Sequence, residues 1–132
     1  MSAWSSRFQW KPTMATGIEA MDIDHQVLIG LMAVIETRHH AGQSGDDILD
    51  AIIALANATM DHFAAEEAHM AEVEHPALTR HALIHRDLME RFAGHAERIG
   101  HAGGQADEAF FNFLEFWVLT HINGLDKDYA EL

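Results

Sequence analysis

The segment HFAAEEAHM, residues 62–70, combines imidazole and carboxylate side chains within a helical pattern. His62 and Glu66 are four residues apart, so on a helix they point to the same side. The apolar spacing around them predicts that this side faces the core. A histidine and a glutamate on one buried helix face can bind a metal ion through nitrogen and oxygen.

Other histidines repeat this pattern. His81 and His85 form a pair with the same spacing, and His25 and His121 lie in two further apolar segments. The chain has 11 histidines, more than capping and surface roles usually require. A single histidine on an apolar face is more often a hydrogen-bonded core residue than a ligand. Five that converge favour a metal site, because buried neutral imidazoles need partners for both ring nitrogens.

Composition narrows the chemistry of such a site. The absence of cysteine excludes disulfides, thiolate zinc sites, iron–sulfur clusters and cysteine nucleophiles. The formal net charge of -13 argues against nucleic acid and anionic membranes as partners. The N-terminus lacks a signal-peptide pattern, and no segment reaches the ~20 apolar residues of a membrane span. We therefore expect a cytoplasmic protein without membrane insertion.

Gly and Pro divide the chain into four long segments with helical periodicity and without the alternation typical of strands. Short loops between helices of this length imply antiparallel neighbours. The sequence predicts a single all-α domain, an up-down-up-down antiparallel four-helix bundle, with Asp22 capping the first helix. The predicted domain covers 1–132, with an irregular N-terminal arm at 1–21 and helices at about 22–41, 46–73, 77–99 and 107–123.

Depth along this bundle can be estimated from the loops that neighbouring helices share. At ~1.5 Å per residue, His25 and His62 both lie ~24 Å from the first loop. Glu66 and His85 lie ~10 and ~12 Å from the second loop. His85 and His121 lie ~21 Å from the third loop. Each of the four helices therefore places a histidine in the same layer.

Asp126 is a further carboxylate candidate near this layer. Five positions beyond His121 correspond to an angular offset of ~140° on an ideal helix, so Asp126 reaches the site only if the helix bends. Gly124 lies between these residues, and a π-type turn or a frayed end there would bring the carboxylate back toward the bundle axis.

Four blocks of the chain, in this order, resemble the single-domain bacterial hemerythrins. The blocks are MDIDH at 21–25, HFAAEEAHM at 62–70, PALTRHALIH at 76–85 and WVLTHINGLDKDY at 117–129. The resemblance covers nearly the whole chain and implies a bundle with a non-haem di-iron centre that binds dioxygen reversibly. It also implies the ligands: one iron held by His81, His85 and His121, the other by His25 and His62, and bridges from Glu66, Asp126 and an oxo or hydroxo group.

This ligand set predicts an asymmetric centre. Iron with nitrogen and oxygen donors commonly binds six ligands. The three bridges give each iron three bonds, so three histidines complete one iron and two histidines leave the other with one open position. The resemblance implies that dioxygen binds at this open position.

Two residues leave questions open within this scheme. Asp24 replaces the glutamine that the family usually has directly before the first ligand, which could change the surrounding hydrogen bonds, the oxygen affinity and the autoxidation rate. His69 lies seven positions after His62 and therefore has almost the same angle on the helix. The loop depths and the family pattern both favour His62 as the ligand.

Other functions also stay open. A ferritin-like di-iron enzyme would need two Glu-x-x-His motifs at one depth, but those at Glu36 and Glu66 would lie ~20 Å apart. A hemerythrin-like oxidoreductase acting on peroxide or nitric oxide would use the same ligands as an oxygen-binding protein. A structural bundle that takes up adventitious zinc would keep only the fold. Oxygen storage, delivery, sensing and scavenging are alternatives for the physiological role.

Overall fold

A computed structural model describes residues 4–117 and His121, and helices account for most of these residues. The described part of the chain contains no strand, and the predicted all-α four-helix bundle is confirmed. A 3-10 turn at Pro12–Met14 precedes the bundle. The four helices are α1 (Glu19–His40), α2 (Asp46–Glu72), α3 (Leu78–His101) and α4 (Glu108–Trp117).

The first helix begins earlier than the sequence predicted. α1 starts at Glu19 and its N-cap residue is Ile18, so Asp22 lies within the first turn and does not cap the helix. The Asp22 carboxylate accepts hydrogen bonds from the backbone N–H of Thr16 at 2.8 Å and from its hydroxyl at 2.7 Å. Burial raises the pKa of the Asp22 carboxyl, but hydrogen bonds from Thr16, with smaller contributions from Gly17 and His25, together hold the pKa below its ordinary value. Asp22 thus ties the arm to α1.

The other described helix ends lie within two residues of the predicted ones. The predicted end of the last helix at 123 lies outside the described residues. α1 packs against α2, and α2 packs against α3. These contacts follow from the short loops, which keep successive helices next to each other.

Two apolar clusters fill the interior at different heights of the bundle. The larger cluster includes Leu28, Met32, Leu55 and Phe110, all at most 1% exposed. The smaller cluster is formed by Met21 and Met70, with Ala77 and Leu78 packed against it. Along α1, α2 and α3, the buried histidines lie between these two clusters. Apolar packing therefore encloses the histidine layer from above and below.

Arg7 anchors the N-terminal arm to the end of the bundle where α1 ends and α4 begins, which we call the far end. Its guanidinium donates hydrogen bonds to Glu36 of α1 and Glu108 of α4, both at 2.6 Å. The hydroxyl of Ser6 and the backbone N–H of Arg7 donate to the other Glu36 oxygen at 2.8 and 2.9 Å. The hydrogen bond to Glu108, followed by that to Glu36, raises the pKa of Arg7. Glu36, 6% exposed, is therefore compensated by the arm.

By length and composition alone, α2 is the one helix among the described residues that could cross a membrane. This observation is weak, since a core helix passes the same test. α2 also buries the charged and polar side chains of Glu66, His62 and Thr59. The absence of a membrane span stays a prediction.

The loop between α1 and α2 contacts the loop between α3 and α4 at Gly45 and Gly104. This contact gives a prediction about stability. Gly104 has φ +82°, and a Cβ there would lie 2.4 Å from the backbone nitrogen of Gly45. We expect Gly104→Ala to lower the free energy of unfolding by about 2–4 kcal/mol, because backbone must move and the conformation disfavours L side chains. Urea unfolding followed by circular dichroism measures this change.

Gly94→Ala is the matched control. Gly94 lies in α3, and a Cβ there would meet nothing within 4 Å. We expect this variant to gain about 0.5–1 kcal/mol, because alanine loses less backbone entropy than glycine in a helix. Equal stability of the two variants would contradict the proposed loop contact.

Candidate metal centre

Six of the seven predicted ligands lie in two adjacent groups of buried side chains. The two groups are Glu66 with His81, His85 and His121, and Glu66 with His25 and His62. Within each group the candidate donor atoms all lie within 4.8 Å of one another. Each of the six residues is at most 5% exposed. Asp126, the seventh, lies outside the described residues, so its bridging role stays a prediction.

The helix geometry explains how these side chains meet. His62 and Glu66 are one turn apart on α2, as His81 and His85 are on α3. His121 lies in a π-helical conformation, an irregularity that often occurs at functional sites. The bend predicted near Gly124 lies outside the described residues.

The three-histidine group surrounds one oxygen of Glu66. The Nε2 atom of His81 is a hydrogen-bonding partner of Glu66 Oε1. The Nε2 atoms of His85 and His121 lie 3.3 and 3.8 Å from the same oxygen. These two nitrogens are 3.2 Å from each other. Three imidazole nitrogens and one carboxylate oxygen therefore point at a common space.

The two-histidine group lies on the other side of the same carboxylate. The Nε2 atoms of His25 and His62 are 3.2 Å apart. The Nε2 atom of His62 lies 3.2 Å from Glu66 Oε2. Each Glu66 oxygen thus faces a different set of histidines, which is the arrangement of a carboxylate that bridges two metal ions.

These donors fit a two-metal centre. At each close Nε2–Nε2 contact, two neutral imidazoles can share at most one proton, whereas a cation between the nitrogens and the carboxylate satisfies all of the lone pairs. Imidazole and carboxylate donors suit iron, zinc and manganese, and they lack the sulfur that softer metals prefer. The sharing of Glu66 places the two candidate positions next to each other.

In each group, one further carboxylate contacts the Nδ1 atom of a histidine, on the ring side away from the metal position. Glu67 Oε2 lies 2.8 Å from His85 Nδ1, and Asp24 Oδ2 lies 3.3 Å from His62 Nδ1. A carboxylate on Nδ1 favours the tautomer whose Nε2 lone pair points inward and fixes the ring. The sequence interpretation missed Glu67, whose partner His85 lies on another helix.

Aromatic rings pack against the imidazoles. Phe63 stacks on His85 with ring centroids 3.8 Å apart and an interplanar angle of 2°. Trp117 lies nearly parallel to His121, at 6.0 Å and 16°. An apolar cavity of about 10 Å³ lies beside Trp117 and is lined in part by Thr59 and Leu114. Apolar side chains therefore pack closely next to this ring.

The residues of the ferritin-like alternative do not join these groups. Glu36 is bound by Arg7 at the far end of the bundle, and Glu72 is exposed. His69 is also exposed, at the opening of a cleft beside His62. Within the described part of the chain, the Glu-x-x-His motif at Glu66 alone contributes to the two groups, and only through its glutamate.

Comparison with known proteins agrees with this geometry. The chain matches the family of the hemerythrin HHE cation binding domain over residues 16–132. It belongs to the hemerythrin family. It is 27% identical to the bacteriohemerythrin of Stenotrophomonas maltophilia, an alignment that covers 92% of this chain and 78% of that protein. It is 28% identical to the myohemerythrin of Riftia pachyptila, with 94% and 92% covered.

A more distant similarity points to the same family. A hemerythrin-like protein of Naegleria gruberi is 24% identical over 94% of this chain and 92% of its own length. The predicted resemblance to hemerythrins is confirmed, while the assignment of individual ligands stays a prediction that rests on the geometry above.

Glu66→Ala tests that assignment. Because Glu66 supplies the acidic donor of both described groups, we expect this variant to lose most of its bound iron while it keeps the helical circular dichroism of the bundle. Iron per chain by plasma mass spectrometry is the measurement. Glu72→Ala is the matched control, because Glu72 lies on the same helix and is exposed. Full iron content in Glu66→Ala would contradict the bridging role.

Proposed function

We propose that this protein binds dioxygen reversibly at a non-haem di-iron centre and acts as an oxygen-binding protein. The observation that carries the proposal is the position of Glu66, whose two oxygens face three histidines on one side and two on the other. Asp126 is proposed as the second bridge, with an oxo or hydroxo group as the third.

The unequal histidine counts assign the binding position. With three bridges, an iron held by His81, His85 and His121 would have six ligands. An iron held by His25 and His62 would have five, which would leave one position for a small exogenous ligand. Two bound ferrous ions would supply the reducing equivalents that dioxygen binding requires.

The protein side chains contribute orientation and exclusion of water. Asp24 and Glu67 hold His62 and His85 through Nδ1, so that Nε2 faces the metal positions. Phe63 and Trp117 cover the histidine layer with apolar surface. Where this apolar packing keeps water and protons from the metal positions, it would slow irreversible oxidation and favour release of oxygen over its conversion.

The donor set supports binding over oxygen activation. The described groups hold five histidines and one carboxylate, whereas the ferritin-like enzymes use four carboxylates. Fewer anionic ligands stabilise high-valent iron less. The names bacteriohemerythrin and myohemerythrin of two similar proteins agree with this proposal.

The test is a cycle between air and argon. The apoprotein is loaded anaerobically with ferrous iron, the metal is counted, and the visible spectrum is recorded through repeated cycles; the zinc-loaded protein is the control. We expect two irons per chain, about one per donor group, and a charge-transfer band that appears in air and disappears under argon.

Two outcomes would contradict this proposal. Iron that oxidises once and does not return to the starting spectrum would point to an oxidoreductase, and turnover with peroxide or nitric oxide would then identify its substrate. A protein that takes up zinc but no iron pair would reduce the site to a structural one.

A further inference from the structure

A cleft of about 190 Å³ lies between the start of α1 and the end of α2. Its lining includes the buried side chains of Met21, His62 and Glu66 and the exposed residues Asp24 and His69. The buried residues therefore form its floor and the exposed ones its rim. This cleft leads from solvent to two of the side chains that face the metal positions.

The cleft reaches the side of the site where the proposed function leaves a position open. His62 belongs to the two-histidine group, and Glu66 lies between the two groups. A second cleft, of about 310 Å³ on the other face of α2, reaches His85 and Glu67 instead. It therefore meets the three-histidine side, where the proposed function leaves no ligand position free. Of these two clefts among the described residues, the α1–α2 cleft is the one that reaches the two-histidine side.

Asp24 places a negative charge on the rim of this route. Its side chain is 50% exposed, and its carboxylate is 3.3 Å from His62 Nδ1. An anion that approaches the open position through the cleft must pass this charge. A neutral diatomic molecule carries no net charge for Asp24 to repel.

We propose that the α1–α2 cleft is the access route for exogenous ligands and that Asp24 makes it selective for neutral diatomic molecules over small anions. This inference rests on the proposed function, because it needs the open position beside His62. It gives the acid that replaces the usual glutamine a defined role in ligand selection. His69, on the same rim, is unchanged in every variant below.

The experiment compares an anionic and a neutral probe. Azide association with the oxidised protein and dioxygen association with the reduced protein are followed by stopped-flow absorbance in Asp24→Asn, in Asp24→Glu and in the wild type. Asparagine removes the charge but keeps an oxygen that can accept a hydrogen bond from His62 Nδ1. Asp61→Asn is the matched control. Asp61 is exposed, directly precedes His62 and does not line the cleft, so this substitution changes the net charge by the same amount at a site outside the cleft.

We expect Asp24→Asn to raise the ratio of the azide rate to the dioxygen rate by about 3- to 10-fold. We also expect the azide rate to depend less on salt concentration than in the wild type. Asp24→Glu keeps the charge, so its ratio should stay near that of the wild type. Asp61→Asn should change the ratio by less than about 2-fold.

Two results would overturn the inference. An unchanged ratio in Asp24→Asn would remove the selective role of its charge, and equal increases of both rates would be the form of this result that indicates a widened cleft. An equal effect of Asp61→Asn would indicate a general effect of net charge. Iron content and helical circular dichroism are measured for every protein. A wild type without two irons contradicts the proposed function itself, whereas two irons with an unchanged ratio contradict only this inference.

Discussion

The candidate metal site depends on one buried carboxylate among five imidazoles. Glu66 is 3% exposed, and both of its oxygens lie within reach of histidine nitrogens. An ionised group at such depth is costly unless opposite charge and hydrogen bonds compensate it. Protons on the histidines can provide part of that compensation, and two cations would provide it for the carboxylate and all the ring nitrogens together. The burial of these donors therefore favours a metal ion in the site.

The rest of the bundle keeps these donors in one layer. Apolar clusters lie above and below the histidines, and Asp24 and Glu67 fix two of the rings from the solvent side. The arm contributes at a distance, since Arg7 satisfies the buried Glu36 and joins α1 to α4. This packing and these contacts orient the side chains that the proposed two-metal site would use.

The sequence predicted the fold and the central residues because both depend on helical periodicity. Pairs such as His62 and Glu66 share a helix face because they are four residues apart. Counting residues from the shared loops placed a histidine of each helix at the same depth in the bundle. The predicted start of α1 was wrong, because Asp22 accepts hydrogen bonds from Thr16 and does not cap the helix. This contact depends on how the arm folds back onto α1. Glu67 was missed for a related reason. Its partner His85 lies on another helix, and spacing along one helix does not reveal such contacts.

The central claim is that Glu66 bridges two unequal iron positions. X-ray absorption at the iron edge of the fully loaded protein tests it most directly. The account predicts an iron–iron scattering distance of about 3–4 Å and a mean of two to three histidine ligands per iron. Iron without a second iron nearby, or with a shell formed mostly of carboxylate and water oxygens, would contradict it.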